Sequence, residues 1–249
     1  MSEVSSSKIS GRVGFVRPFL LAGGFLGVIG AGLFASGTLS AFADEQPKRV
    51  PATIHDTVRA DGTQTAIFAG GCFWGMQGVF QHVQGVVNAT SGYAGGKADT
   101  ARYDLTETGA TGHAEAVRIV FDPRKITYGK LLQIYFSVAH DPTEINRQGP
   151  DVGTQYRSVI FPVNEEQARI AGDYIGQLGK AGVFNTKIAT TIEPNKPFYA
   201  AEAYHQDYMA HNPTQLYILF NEQPKVDNLK KFFPELYRET PVLVSDSQG

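Results

Sequence analysis

Thr65-Ala66-Ile67-Phe68-Ala69-Gly70-Gly71-Cys72-Phe73-Trp74-Gly75-Met76-Gln77-Gly78-Val79-Phe80-Gln81-His82-Val83 is the stretch in which the chain changes its periodicity. Residues 65–69 form a short β-type run, and Gly70-Gly71 breaks it. From Cys72 onward the apolar residues Phe73, Met76, Val79, Phe80 and Val83 recur at helical spacing. Cys72 therefore stands where a buried strand turns into a helix. Free backbone N–H groups and the positive end of the helix dipole meet there, and both favour a thiolate. The two glycines carry no side chain to block the approach of a substrate. Phe73 and Trp74 follow at once, and Trp74 is the only tryptophan in the chain. Core packing accounts for Phe73, while a lone Trp beside a lone Cys reads as the wall of an apolar pocket.

Working outward, residues 86–93 read as a second strand, with a turn at 92–96. Residues 114–121 alternate and stop at Asp122-Pro123. Thr127 is a helix N-cap, with Leu131, Leu132, Tyr135 and Phe136 on one face. Residues 141–153 read as an irregular loop, 156–161 as a strand, and Asn164 caps a helix to about residue 179. A strand at 187–192, a helix at 199–209 and a short helix at 226–233 complete the pattern. Strands and helices mix without strict alternation, so the fold class is α+β. The expected architecture is a single mixed, largely antiparallel sheet with helices packed on it, a ferredoxin-like two-layer core.

The ends bound the setting. Lys8, Arg12 and Arg17 precede an uncharged run over residues 19–39, which closes on Ala41-Phe42-Ala43 before Asp44-Glu45. That order describes a secretory signal peptide cleaved after Ala43, or else an uncleaved membrane anchor. In both readings the basic end stays inside and the body is exported, which in a bacterium means a periplasmic protein. No Arg-Arg pair points to a twin-arginine route. Residues 44–63, with Pro47, Pro51, Asp61 and Gly62, read as an arm or linker, and 64–249 as one catalytic domain. The net charge of the whole chain is −2 and the leader carries three positive charges and one negative, which leaves −4 for the remainder. Mild acidity without a block of like charges argues against nucleic-acid binding. A single cysteine in an exported chain cannot make an internal disulfide, so it is either a buried structural thiol or a reactive one.

Several blocks then coincide. Gly71-Cys72-Phe73-Trp74-Gly75 is followed by Gly92-Tyr93-Ala94-Gly95-Gly96, Gly112-His113-Ala114-Glu115-Ala116-Val117 and His140-Asp141-Pro142. Gly153-Thr154-Gln155-Tyr156-Arg157-Ser158, Phe198-Tyr199, Ala201-Glu202 and Tyr204-His205-Gln206 complete the series. In this order the chain resembles the A-type peptide-methionine (S)-S-oxide reductases over about residues 66–210. The resemblance implies that Cys72 attacks the sulfur of a methionine S-sulfoxide and that Glu115 gives a proton to its oxygen. It further implies that Tyr103 and Tyr156 hydrogen-bond that oxygen, that Asp151 orients the site, and that Phe73 and Trp74 hold the ε-methyl group. A carboxyl beside apolar rings has a raised pKa, which suits Glu115 as a general acid. Without the resemblance, Glu115 reads as a solvent-facing strand carboxylate, Asp151 as a turn residue, and the two tyrosines as anonymous among eleven.

Two departures stand out. Gln77 occupies a position where members of the family often carry Glu, a change expected to leave activity intact. The tail after Pro213 holds no cysteine, where many members have one or two resolving cysteines. The chain thus looks like the one-cysteine form, whose sulfenic acid requires an external thiol: a thioredoxin-like or glutaredoxin-like protein, or glutathione. No bound cofactor is expected, and the partners are oxidised proteins, free methionine sulfoxide and the thiol reductant, met by a monomer. No metal is expected either, since His113, Glu115, His140 and Asp141 lack zinc-site spacing. The competing readings are a Cys-dependent peroxidase or hydrolase, and a module that only binds methionine-sulfoxide peptides.

Overall fold

The computed structural model describes residues 46–57 and 61–244. The leader reading for residues 1–43 lies outside the described residues. The chain runs β1 (Gln64–Ala69), α1 (Phe73–Gln81), β2 (Val86–Ala94), α2 (Tyr103–Thr106), β3 (Ala114–Phe121) and α3 (Tyr128–Ile134), which a π-turn over Tyr135–Ala139 extends. It continues through β4 (Arg147–Gln148), β5 (Asp151–Val152), β6 (Val159–Ile160), α4 (Glu165–Lys180), β7 (Thr191–Ile192), β8 (Phe198–Ala200), α5 (Tyr208–His211), a second π-turn over Ile218–Glu222, and α6 (Gln223–Phe232).

Six strands form one sheet in the order β7-β6-β1-β3-β2-β8, and β4 pairs with β5 in a separate two-stranded piece. Every neighbour in the large sheet is antiparallel except the β6–β7 pair. The four inner strands in the order β6-β1-β3-β2, with crossovers through α1 and α3, make the ferredoxin-like arrangement. The α+β reading of the sequence holds.

Local signals explain the elements. The Thr127 hydroxyl accepts the Lys130 N–H and the Asn164 side chain accepts the Gln167 N–H, so both helices start at their expected caps. The helix expected over 199–209 is not continuous. Its first part is β8, which pairs Phe198 to Ala200 with β2, and Asp207 at φ 57 interrupts the chain before α5. Free backbone groups on the edge of β2 outweigh helix propensity there. The 141–153 loop contains the β4–β5 hairpin, and the strand expected at 187–192 shrinks to β7.

Alternation across the sheet sorts the side chains. Phe68, Val117, Ile119 and Phe121 enter the large core with Phe73, Met76, Phe80, Leu131, Tyr135 and Tyr174 from the helices. Ile67, Ala69, Ala114, Ala116, Val159 and Phe161 form a smaller cluster on the other face. Residues 46–57 are pinned across α3 and α4. Val50 is buried, its N–H donates to the Ser137 hydroxyl at 3.1 Å, and its carbonyl accepts from Gln133 at 2.7 Å.

Candidate active site

Cys72 is the N-cap of α1, with φ −56 and ψ 124, and is a free thiol only 7% exposed. Gly71 at φ +89 adopts a left-handed turn that other residues resist. Its two neighbours in space correct the expected role of the glycines. A Cβ at Gly70 would lie 2.8 Å from His140 Cγ, and one at Gly71 would lie 2.7 Å from Gln148 Cβ. The space vacated by the glycines is thus filled by the protein itself, with the 140–148 segment packed behind the thiol, and not left open for a substrate.

Glu115 lies on β3 opposite Tyr93 of β2. It shares a strand face with Val117, Ile119 and Phe121, so it points toward the helices and not toward solvent. It is 3% exposed, and Oε2 accepts the Phe73 N–H at 3.0 Å, at the residue after the cysteine. Burial pushes its carboxyl up to about 8, against the pull of that N–H, with Asp151 and Glu222 adding to the rise. Burial likewise pushes the Tyr103 hydroxyl up to about 12, with Glu115 and Cys72 among the charges it feels. Tyr156 is raised by burial and by Glu115, Asp151 and Cys72. Burial raises Asp151, whose carboxylate accepts the Tyr217 hydroxyl. The fold therefore gathers Cys72, Glu115, Tyr103, Tyr156 and Asp151 within electrostatic reach of one another.

The aromatic residues divide. Phe73 is 1% exposed and packs on Tyr93 and His205, with ring centroids 5.9 and 5.0 Å apart. Trp74 is half-buried, stacks on Tyr208 at 3.8 Å with planes 8° apart, and meets Tyr217 edge-on at 6.1 Å. Its indole N–H donates to His205 Nδ1 at 3.2 Å, so this ring is neutral, in keeping with the burial that lowers its pKa. Glu202 accepts the Tyr93 hydroxyl at 2.8 Å and the Tyr103 N–H at 2.9 Å, which fixes the start of α2 beside the site.

Two further residues come from the tail. Glu222 is 1% exposed and holds Lys225 Nζ at 2.7 Å. A Cβ on Gly75 would lie 1.5 Å from Glu222 Oε2, so the last glycine of the Cys-containing block gives this carboxylate its place. Burial pushes the Cys72 thiol well above its usual range, with Glu222 and Glu115 adding to the rise. The nearby Trp74 N–H, short of a full cap hydrogen bond, and Lys225 oppose it. Tyr208, Tyr217, His205, Glu202, Glu222 and Lys225 all escaped assignment from sequence. Glu202 and His205 lay inside recognised blocks, whereas Glu222 and Lys225 had no local signal.

Gln77 sits in a closed amide network. It donates to the Ala89 carbonyl and to Gln206 Oε1, each at 2.9 Å, and accepts the Asp207 N–H at 2.9 Å. Of the histidines weighed as ligands, His140 Nε2 meets the Ser158 hydroxyl at 2.8 Å and His113 Nε2 the Lys97 carbonyl at 2.9 Å. Among the described residues no three His, Cys, Asp or Glu side chains converge as a metal would require.

Known proteins similar to this chain fall in one family. The family model described as peptide methionine sulfoxide reductase matches residues 64–236. A peptide methionine sulfoxide reductase MsrA 2 of Mesorhizobium japonicum is 61% identical over 189 residues, which are 76% of this chain and 97% of the relative. Its namesake from Synechocystis is 49% identical over 173 residues, 70% of this chain and 79% of the relative. Methionine sulfoxide reductase A of Corynebacterium diphtheriae superposes with a TM-score of 0.53 at 36% identity, over 64% of this chain and 80% of that one. Reduced Mxr1 from Saccharomyces cerevisiae gives 0.53 at 33% identity, over 65% and 92%. With a matched segment that runs from β1 past α6 and takes in every residue of the site, the chain belongs to the peptide methionine sulfoxide reductases, a family of oxidoreductases.

Proposed function

We propose that this reductase takes the S epimer of methionine sulfoxide, free or within a polypeptide, with Cys72 as nucleophile and Glu115 as acid. The observation that carries the reading is Glu115 held on the Phe73 N–H at 3.0 Å, beside the nucleophile and with its carboxyl raised to about 8. A sulfoxide oxygen leaves poorly until protonated, and a carboxyl that keeps its proton at neutral pH meets that need. Trp74, stacked on Tyr208, supplies an apolar wall for the ε-methyl group. Tyr103 and Tyr156 offer hydroxyls to the oxygen, and Asp151 orients the site through Tyr217.

The thiolate of Cys72 bonds to the sulfoxide sulfur as Glu115 passes its proton to the oxygen. The oxygen then transfers to Cys72, which releases methionine and leaves a sulfenic acid. Methionine sulfur is reduced and Cys72 oxidised by the same two electrons. An external thiol next attacks the sulfenic sulfur, which expels water and forms a mixed disulfide, and a second thiol frees Cys72. The absence of any other cysteine from the sequence supports this one-cysteine cycle, with a thioredoxin-like or glutaredoxin-like protein, or glutathione, as donor. The basic, apolar and Ala-x-Ala pattern of the leader supports export to the periplasm.

The test is turnover of a blocked methionine S-sulfoxide with dithiothreitol, for the wild type and for Cys72→Ser, with the R epimer as control. Turnover by the wild type alone, confined to the S epimer, is the expected result, as is one dimedone adduct on Cys72 when substrate is given without dithiothreitol. Equal turnover by both proteins, or a wild type that leaves no adduct, overturns the mechanism.

A further inference from the structure

The tail of this chain brings an ion pair to the nucleophile. Glu222 closes the π-turn Ile218–Glu222 and Lys225 stands on the first turn of α6, where Nζ and Oε2 meet at 2.7 Å. The pair is seated over Gly75, since a Cβ there would lie 1.5 Å from Glu222 Oε2 and 3.2 Å from Lys225 Nζ. Gly75 is three residues past the N-cap Cys72. A side chain at an N-cap leans over the N–H groups of the second and third helical residues, here Trp74 and Gly75. The thiol and the ion pair therefore share the first turn of α1. On the far side, the Tyr217 hydroxyl lies between Asp151 and Glu222 Oε1, which ties the pair to the catalytic cluster.

The charges around this turn are unbalanced. Glu115 from β3, Asp151 from β5 and Glu222 from the π-turn are carboxyl groups, and Tyr103, Tyr156 and Tyr217 add hydroxyls. His140, packed behind the thiol on Gly70, is held neutral by burial, as is His205 beneath Trp74. Among the described residues, Lys225 is the cation that lowers the ionisation of the thiol, against a larger rise from Glu222 and Glu115. A buried ion pair is a weak source of stability, because desolvation offsets most of its attraction. Its place on this turn needs another reason.

We infer that Lys225, held on the first turn of α1 by Glu222, is a positioning residue whose ammonium supports the Cys72 thiolate in a site otherwise ringed by carboxyl groups. The inference rests on Cys72 as the nucleophile. It assigns to the tail, which carries no cysteine, an electrostatic part in the reaction.

The sole cysteine makes the test direct, because the ultraviolet absorbance of the thiolate, taken against Cys72→Ser, reads one group. Glu222→Gln and the double variant Glu222→Gln/Lys225→Met form the informative pair. Both lack the Glu222 charge, the amide oxygen of Gln still accepts the ammonium in the first, and the two differ in that cation. The titration of Cys72 is expected to lie about one pH unit or more higher in the double variant, as for a charge lost within a few ångströms. Its reaction with iodoacetamide at neutral pH is expected to slow about tenfold in step. Lys225→Arg, which keeps the charge, retains the wild-type titration. Coincident titrations for the pair, or an Arg variant displaced as far as Lys225→Met, overturn the inference. Turnover by Cys72→Ser judges the underlying mechanism separately, since the thiol titrates whether or not it turns over.

Discussion

Glu115 and Phe73 are 42 residues apart in sequence, yet the carboxylate of one accepts the backbone N–H of the other at 3.0 Å. The bond spans from strand β3 to the first residue of α1 and sets the proposed acid beside the proposed nucleophile. It also accounts for a conflict in the site, because a carboxyl that is 3% exposed resists ionisation while the N–H it accepts favours it. Burial wins.

That balance predicts opposite effects on activity and stability. Glu115→Gln keeps an acceptor for the Phe73 N–H but has no proton to give, so turnover should fall about 10²–10⁴-fold. The unfolded carboxyl ionises above 4.5 while the folded one keeps its proton to about 8. The unfolded state therefore binds fewer protons across that window, and the native state loses stability as pH rises through it. Glu115→Gln removes this loss, on the order of a few kcal/mol. Its melting temperature should match the wild type near pH 4 and exceed it near pH 8, as calorimetry will show.

The pH dependence of kcat/KM follows from the pair. In the proposed reaction the pair carries one proton on Glu115 and none on Cys72, whereas below about pH 8 burial leaves it with two. Rates should thus climb about tenfold per pH unit up to about 8, and fall again only above the Cys72 ionisation. A flat profile between pH 6 and 8 would falsify the assignment of these two groups.

The stacking of Trp74 on Tyr208 at 3.8 Å gives an optical handle, as Trp74 is the sole tryptophan. In Cys72→Ser, sulfoxide binding should change the tryptophan emission. Tyr208→Ala should weaken binding roughly 2–10-fold, in line with one aromatic contact, and leave the Cys72 titration in place. Fluorescence titration measures the binding, and thiolate absorbance, with Cys72 kept, measures the ionisation.

Gly75→Ala tests the seat of the tail. The new methyl would stand 1.5 Å from Glu222 Oε2, whose carboxylate Lys225 and Tyr217 hold in place. Overpacking of this kind should cost about 1–3 kcal/mol, read as a lower urea midpoint. A variant as stable as the wild type would show that Glu222 leaves Gly75 without penalty.

Residue order was enough for Cys72 at a strand-to-helix junction, for the caps at Thr127 and Asn164, for β3 ending before Asp122-Pro123, and for the α+β class. Those features depend on neighbours a few residues away, through propensity, capping and periodicity. The motif blocks also contained Glu115, Tyr156, Glu202 and His205, but not Tyr217, Glu222 or Lys225. Tertiary structure decided the rest. The register of β3 on β2 turned Glu115 inward, where alternation alone permitted either face. The edge of β2 drew residues 198–200 into the sheet against their helical pattern. Gly70 and Gly71 admit His140 and Gln148, and Gly75 admits Glu222, partners that lie between 70 and 147 residues away in sequence. Pairing across such distances leaves no local trace. It is fixed by which buried polar groups find partners and which side chains fill the space beside a missing Cβ, and both are properties of the packed chain.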